Sequence, residues 1–196
     1  MITWIVLRAA GVASYLLLFA SVAWGLVATT ALFGRKPHRA TSTSLHQFLG
    51  TAGIVMLMVH LGGLLVDRFM PFGVTDILVP FHTGYRPLAV ALGILSMYLL
   101  MVVAVSSWAK KSLGTKWWRR LHVLAAPAFA LALVHGVLAG SDTGHPAMQV
   151  MYVATGLITV FLLLIRGLTV RRRAGEGGRV PKVEGRAALT RNDVAA

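Results

Sequence analysis

The sequence predicts an all-α membrane protein, a bundle of about five transmembrane helices. Three observations carry that prediction. Of the 196 residues, 57% are hydrophobic and only 13% charged, with a mean hydropathy of +0.74, well outside the composition of water-soluble domains. Apolar stretches of about 20 residues, the length that crosses a hydrocarbon layer of about 30 Å, recur along most of the chain. No Asp or Glu falls inside any of these stretches, whereas Lys and Arg crowd the connections between them.

The first helix is expected over about 9–33. It is too long for the apolar core of a signal peptide and has no basic leader beyond Arg8, so it reads as a span. A basic turn from Gly34 to Pro37 ends it, and Thr41, Ser42, Thr43 and Ser44 offer N-caps for the second helix, 45–66. The connection from Asp67 to Tyr85 is the longest and holds Pro71, Gly73, Pro80 and Gly84 around a short apolar piece, which suits the outer surface. The third helix covers about 86–109. Trp117 and Trp118, followed by Arg119 and Arg120, form an interfacial anchor at the start of the fourth, 118–140. A short loop with Asp142, Gly144 and Pro146 leads into the fifth, 147–168. Residues 1–168 thus form one membrane domain, and 169–196 read as a disordered, basic cytoplasmic tail. No repeat of 20 to 50 residues is visible.

A net charge of +13 invites a nucleic-acid reading, but its distribution follows topology. Arg35, Lys36 and Arg39 lie in the first connection; Lys110, Lys111, Lys116, Arg119 and Arg120 lie in the third; Arg171, Arg172 and Arg173 follow the last helix. The other side carries only Arg8, Arg68 and Arg86, beside Asp67, Asp76 and Asp142. Cytoplasmic loops are enriched in Lys and Arg, so the amino terminus is expected outside and the carboxyl terminus in the cytoplasm of a multi-pass cell (inner or plasma) membrane protein. Membrane lipid, not nucleic acid, is the expected surroundings. The absence of cysteine excludes disulfides, thiolate ligands and covalent haem attachment through C-x-x-C-H.

Four of the seven histidines lie in or at the ends of the expected spans: His46 and His60 on the second, His122 and His135 on the fourth. Ionisable side chains at membrane depth are costly and point to function, and a neutral imidazole is a common axial ligand of haem iron. The second and fourth helices run in the same direction, so His46 and His122 share one level and His60 and His135 another. At 1.5 Å per residue the levels are separated by about 21 Å on one helix and about 19.5 Å on the other, which suits two non-covalent haems b, each between two imidazoles. Helical phase is less uniform: a 14-residue step returns within about 40°, whereas the 13-residue step from His122 to His135 is off by about 140°. Pro127, or an irregular first turn at His122, must absorb the difference. His38, His82 and His145, in loops, read as solvated. Gly50, Gly53, Gly62, Gly63 and Gly136 either make room for a porphyrin or pack helices closely. Arg68, Arg86, Lys116, Arg119 and Arg120 stand at levels suited to haem propionates, or serve as interfacial anchors.

These residues resemble the ferric reductase-like transmembrane domain shared by ferric reductases, NADPH oxidases and the haem subunit of the methionine sulfoxide reductase system. Its signature, H-x13-H on one helix and H-x12-H on another, is matched by His46/His60 and His122/His135. The stretch Tyr85-Arg86-Pro87-Leu88-Ala89-Val90 and the run Arg119-Arg120-Leu121-His122 are also similar. The likeness covers roughly residues 10–168. Fuller members have six helices with the ligands on the third and fifth, so the family's first helix is expected to be absent here. The flavin and nicotinamide domains of the oxidases are likewise not expected in 26 tail residues.

The expected function is therefore a di-haem b-type cytochrome, an oxidoreductase component rather than a complete enzyme. Electrons would enter at the His46/His122 level from a separate cytoplasmic flavoprotein reductase or a quinol, any flavin residing on that partner, and leave from the His60/His135 level to an extracytoplasmic acceptor. Two alternatives remain open at this point. One is a non-catalytic haem-binding subunit for anchoring, sensing or assembly, and the other a quinol-linked cytochrome of the b561 type. A transporter is disfavoured by the lack of intramembrane carboxylates.

Overall fold

The structure is a computed structural model and describes residues 2–30 and 39–177. The basic turn at Gly34 to Pro37, His38 and the tail beyond 177 lie outside the described residues. Within them the chain is all-helical: α1 Ile2–Thr30, α2 Arg39–Val66, α3 Val74–Leu78, α4 Pro87–Trp108, α5 Lys110–His122, α6 Ala125–Ala139 and α7 Pro146–Gly177. Four helices, α1, α2, α4 and α7, are long and apolar enough to cross a membrane, and α5 with α6 qualifies as a fifth span if the bent pair is taken together.

The second helix begins at Arg39 rather than at 45, so Thr41, Ser42, Thr43 and Ser44 lie inside it instead of capping it, and three further elements differ from expectation, each for a local reason. The first helix starts at Ile2 rather than near residue 9 and carries Arg8 inside it, because Arg8 is ion-paired with Asp142 in the loop before α7. The last helix runs past residue 168 to Gly177, so the basic residues Arg171 and Arg172 extend it instead of ending it. Long cationic side chains at a helix end keep their stems along apolar surface and their heads in water. The expected fourth helix is two helices, α5 and α6, bent by 43° across Val123 and Leu124. At the break the bonds tighten to i→i−3, Leu124 N–H to Leu121 O at 3.0 Å and Ala126 N–H to Val123 O at 3.2 Å. Pro127 causes it: proline has no N–H, and its ring crowds the carbonyl four residues back, that of Val123. At 15 residues, α6 alone is about 22 Å long, short of a full crossing.

The helices pack as two antiparallel hairpins, α1 with α2 and α4 with α6, joined where α1 lies on α6 and α7. Each hairpin has a buried serine bonded across it: Ser14 Oγ donates to Gly53 O at 2.9 Å, and Ser96 Oγ to Ala128 O at 2.8 Å. Tyr15, Phe129 and Tyr152 make the core between them, with Tyr15 stacked on Phe129 at 5.4 Å and its hydroxyl bonded to Thr155. α2 packs closely on α1 alone. Outward-facing side chains are apolar, as along Val150, Val153, Leu157, Phe161 and Leu164 of α7, the stripe expected of a lipid-facing helix.

Candidate functional site

The four singled-out histidines converge in two pairs between α2 and the broken helix. His46 and His122 face each other with ring centroids 5.8 Å apart at 71°. His60 on α2 and His135 on α6 occupy the other level. The phase mismatch of His122 disappears because it is the last residue of α5, just before the break, and the 43° bend turns it toward α2.

Each imidazole is held from behind by the first helix of its own hairpin. His60 Nδ1 lies 2.8 Å from Leu7 O, His46 Nδ1 3.0 Å from Ser21 O, and His135 Nδ1 2.7 Å from Ala89 O. A carbonyl only accepts, so in all three the proton is on Nδ1 and the lone pair is on Nε2. Four residues beyond each carbonyl stands a glycine, and a Cβ there would strike the ring. It would lie 3.0 Å from His60 Nδ1 at Gly11, 3.3 Å from His46 Cε1 at Gly25, and 2.7 Å from His135 Nδ1 at Gly93. The fourth position departs from this plan: Ser107 replaces the glycine, with Oγ 3.4 Å from His122 Nδ1.

Sequence reasoning missed these seats, although a signal exists. Gly11 and Gly25 are separated by fourteen residues, as are His46 and His60, and Gly93 and Ser107 repeat the interval. Ser14 and Ser96 each lie three residues after a seat glycine, and Gly53 and Ala128 each lie seven before a histidine. The two hairpins are thus internal copies of one design, at an interval longer than the 20 to 50 residues of common repeat families. The break in register is one residue fewer between His122 and Ala128 than between His46 and Gly53, and it falls where the helix bends.

The glycines that the sequence singled out are chiefly packing residues. Added Cβ atoms would meet Leu18 at Gly53, Leu7 at Gly63 and Tyr152 at Gly136 at 3.0 Å or less. Gly50 sits over Ser21, and only Gly62 of this set meets nothing within 4 Å. Of the five cations, Arg86 is bonded to Leu138 O at 2.5 Å and Arg120 lies 4.9 Å over Trp117. Arg68, Lys116 and Arg119 are exposed. The loop histidines have partners: His82 Nδ1 is 2.8 Å from Asp76 Oδ1, and His145 Nδ1 accepts Ala147 N–H at 3.3 Å. With its carboxylate also accepting Gly73 N–H, Asp76 is held below the ordinary carboxylate range, chiefly by the His82 bond.

Among the described residues no cluster of three or more His, Asp or Glu side chains could hold a bare metal ion. The arrangement offers instead two imidazoles per level with second nitrogens already committed. No protein-family model, curated protein or solved structure matches the chain.

Proposed function

We propose that the chain is a di-haem b-type cytochrome of the ferric reductase-like kind, with His46 and His122 holding one haem and His60 and His135 the other. The observation that carries this reading is the pairing: His46 and His122 face one another from separate helices, and His46, His60 and His135 have Nδ1–H engaged by a carbonyl with Nε2 left to ligate. His46 and His122, with ring centroids 5.8 Å apart, would hold one haem iron between their imidazoles. Two ligands per level do not satisfy a bare ion, so the metal must bring its own equatorial donors, as a porphyrin does. The donor set fits the group.

When bound, each haem supplies a one-electron iron couple, and two levels about 20 Å apart along the helices suit a transmembrane relay. The chain's part is to orient the imidazoles. The Leu7, Ser21 and Ala89 carbonyls fix three rings and raise their basicity as metal ligands. Arg68 at one end and Lys116 and Arg119 at the other are free to meet anionic propionates. The Lys/Arg-rich end is read as cytoplasmic, which puts the His46/His122 level on the donor side, facing a flavoprotein or quinol, and the His60/His135 level on the acceptor side.

Purified full-length protein from haem-replete cells should give a b-type pyridine haemochrome with two haems per chain and a low-spin spectrum. Haem-free protein overturns the assignment. Two haems without reduction of an acceptor enclosed in vesicles, when donor is supplied outside, would leave a haem-binding subunit that does not conduct.

A further inference from the structure

We infer that Ser107 and Trp118 are positioning residues that make His122 the least electron-donating of the four imidazoles, so that the His46/His122 level is set to a higher potential than the common design would give. The inference rests on the di-haem reading above.

Three of the four histidines donate Nδ1–H directly to a backbone carbonyl at 2.7–3.0 Å. In each case the residue four positions past that carbonyl is glycine, leaving the ring room to reach it. At the fourth position the corresponding carbonyl is that of Val103, and the residue past it is Ser107. The serine hydroxyl occupies that carbonyl, donating to Val103 O at 2.7 Å beside the Ser106 hydroxyl, which donates to it at 3.0 Å. A hydroxyl has one proton and two lone pairs. With its proton on Val103, Ser107 Oγ can only accept, and it accepts from two donors: Trp118 Nε1–H at 3.3 Å and His122 Nδ1–H at 3.4 Å. His122 therefore has a long bond to a shared, neutral hydroxyl where the other three have short bonds to peptide oxygens.

The strength of the bond at the outer nitrogen sets how much electron density an imidazole gives its metal. A strong acceptor lends the ring anionic character and favours the oxidised metal; a weak one raises the potential. Trp118 keeps the acceptor weak by occupying the second lone pair, and its ring lies 5.1 Å from that of His122. It belongs to α5, whose exposed Lys110 stands 3.9 Å over the same indole. The inner ligand's hydrogen bond is thus wired to the basic helix at the membrane surface, and no other histidine of the set has such a link among the described residues.

The test is redox potentiometry of the full-length protein in nanodiscs, following the haem absorbance as two components, with electron paramagnetic resonance of the oxidised haems alongside. Ser107→Gly removes the nearer of the two hydroxyls on Val103 O, opens the glycine seat for the ring and should lower one component. Ser107→Ala leaves His122 Nδ1 without an acceptor and should raise that same component. Ser107→Thr keeps the hydroxyl and should restore the wild-type value, and Trp118→Phe should shift it in the direction of Ser107→Gly by less. The second component, and one of the two low-spin signals, should stay fixed throughout. If the Gly and Ala variants leave both components in place, move both together or move one in the same direction, the inference is wrong. Loss of a haem in Ser107→Gly would equally refute it, since ligation must survive. A wild-type chain with no b-type spectrum fails the underlying di-haem reading instead, a result distinguishable from two haems with immobile potentials.

Discussion

Gly93→Ala should expel the haem of the His60/His135 level while leaving the other in place. An alanine Cβ at this position would lie 2.7 Å from His135 Nδ1, 2.8 Å from Cε1 and 3.0 Å from Cγ. Three ring atoms are struck at once, so rotation about one bond does not relieve the contact. The ring must retreat by more than half an ångström to reach ordinary van der Waals distance, and its 2.7 Å bond to Ala89 O is lost on the way. Overpacking costs about 1–3 kcal/mol and the bond about 0.5–1.5 kcal/mol, against a helix-propensity gain of up to about 1 kcal/mol for replacing glycine. At mid-range values the net penalty is about 2–3 kcal/mol, or roughly 30- to 150-fold in affinity, overlapping the range seen when outer partners of metal-bound histidines are removed. Haem per chain and the thermal midpoint in detergent measure it. Gly167→Ala on α7, where a Cβ meets nothing within 4 Å, is the matched control and should retain both haems. A Gly93→Ala protein with two haems and an unchanged midpoint would refute the reasoning that glycine is a seat for the imidazole.

Replacing His60 or His135 with Leu should remove the same haem, and the double variant should lose no more than either single one, because the two act as a unit; retention of two low-spin haems in either would break the pairing. A reporter fused after Ala196 should be active only in the cytoplasm, and activity of a secreted-side reporter there would reverse donor and acceptor levels. The Asp76 contacts impose a pH dependence on the connection around α3. Because its folded pKa is depressed, the stabilisation is present above the ordinary aspartate value and is lost as pH falls through the lower folded value. Protease nicking between Asp67 and Arg86 should therefore rise under acid conditions in the wild type but be insensitive to acid in Asp76→Asn.

The spans and the two histidine levels were legible because both are periodic properties of local sequence: runs of apolar residues, and fixed spacings on helices of known rise. Partners far along the chain were not. Arg8 looked like a flanking charge because the Asp142 that neutralises it is over a hundred residues away. Lys110 to Arg120 looked like a connection followed by an anchor, since few apolar residues interrupt its charges, yet α5 is helical on both sides of a kink at Gly114 (φ 74°), with Trp118 turned back onto His122. Pro127 was visible as a source of distortion, but the site of the bend followed from its clash one turn upstream. Gly11, Gly25 and Gly93 were hidden among twenty glycines; only the matching interval of fourteen set them apart.

The repeated hairpin has a consequence for how the protein comes together. Neither hairpin holds both imidazoles of either level: α1 with α2 contributes His46 and His60, α4 with α5 and α6 contributes His122 and His135. Whatever bridges a level therefore ties one half of the molecule to the other, and its binding free energy adds to their association by mass action. Among the described residues the two hairpins otherwise pack on each other chiefly where α1 touches α6, a seam smaller than the contact within either hairpin. On the proposed di-haem reading, cofactor capture would be the closing step of assembly, and a chain starved of it should come apart along that seam while each hairpin stays whole.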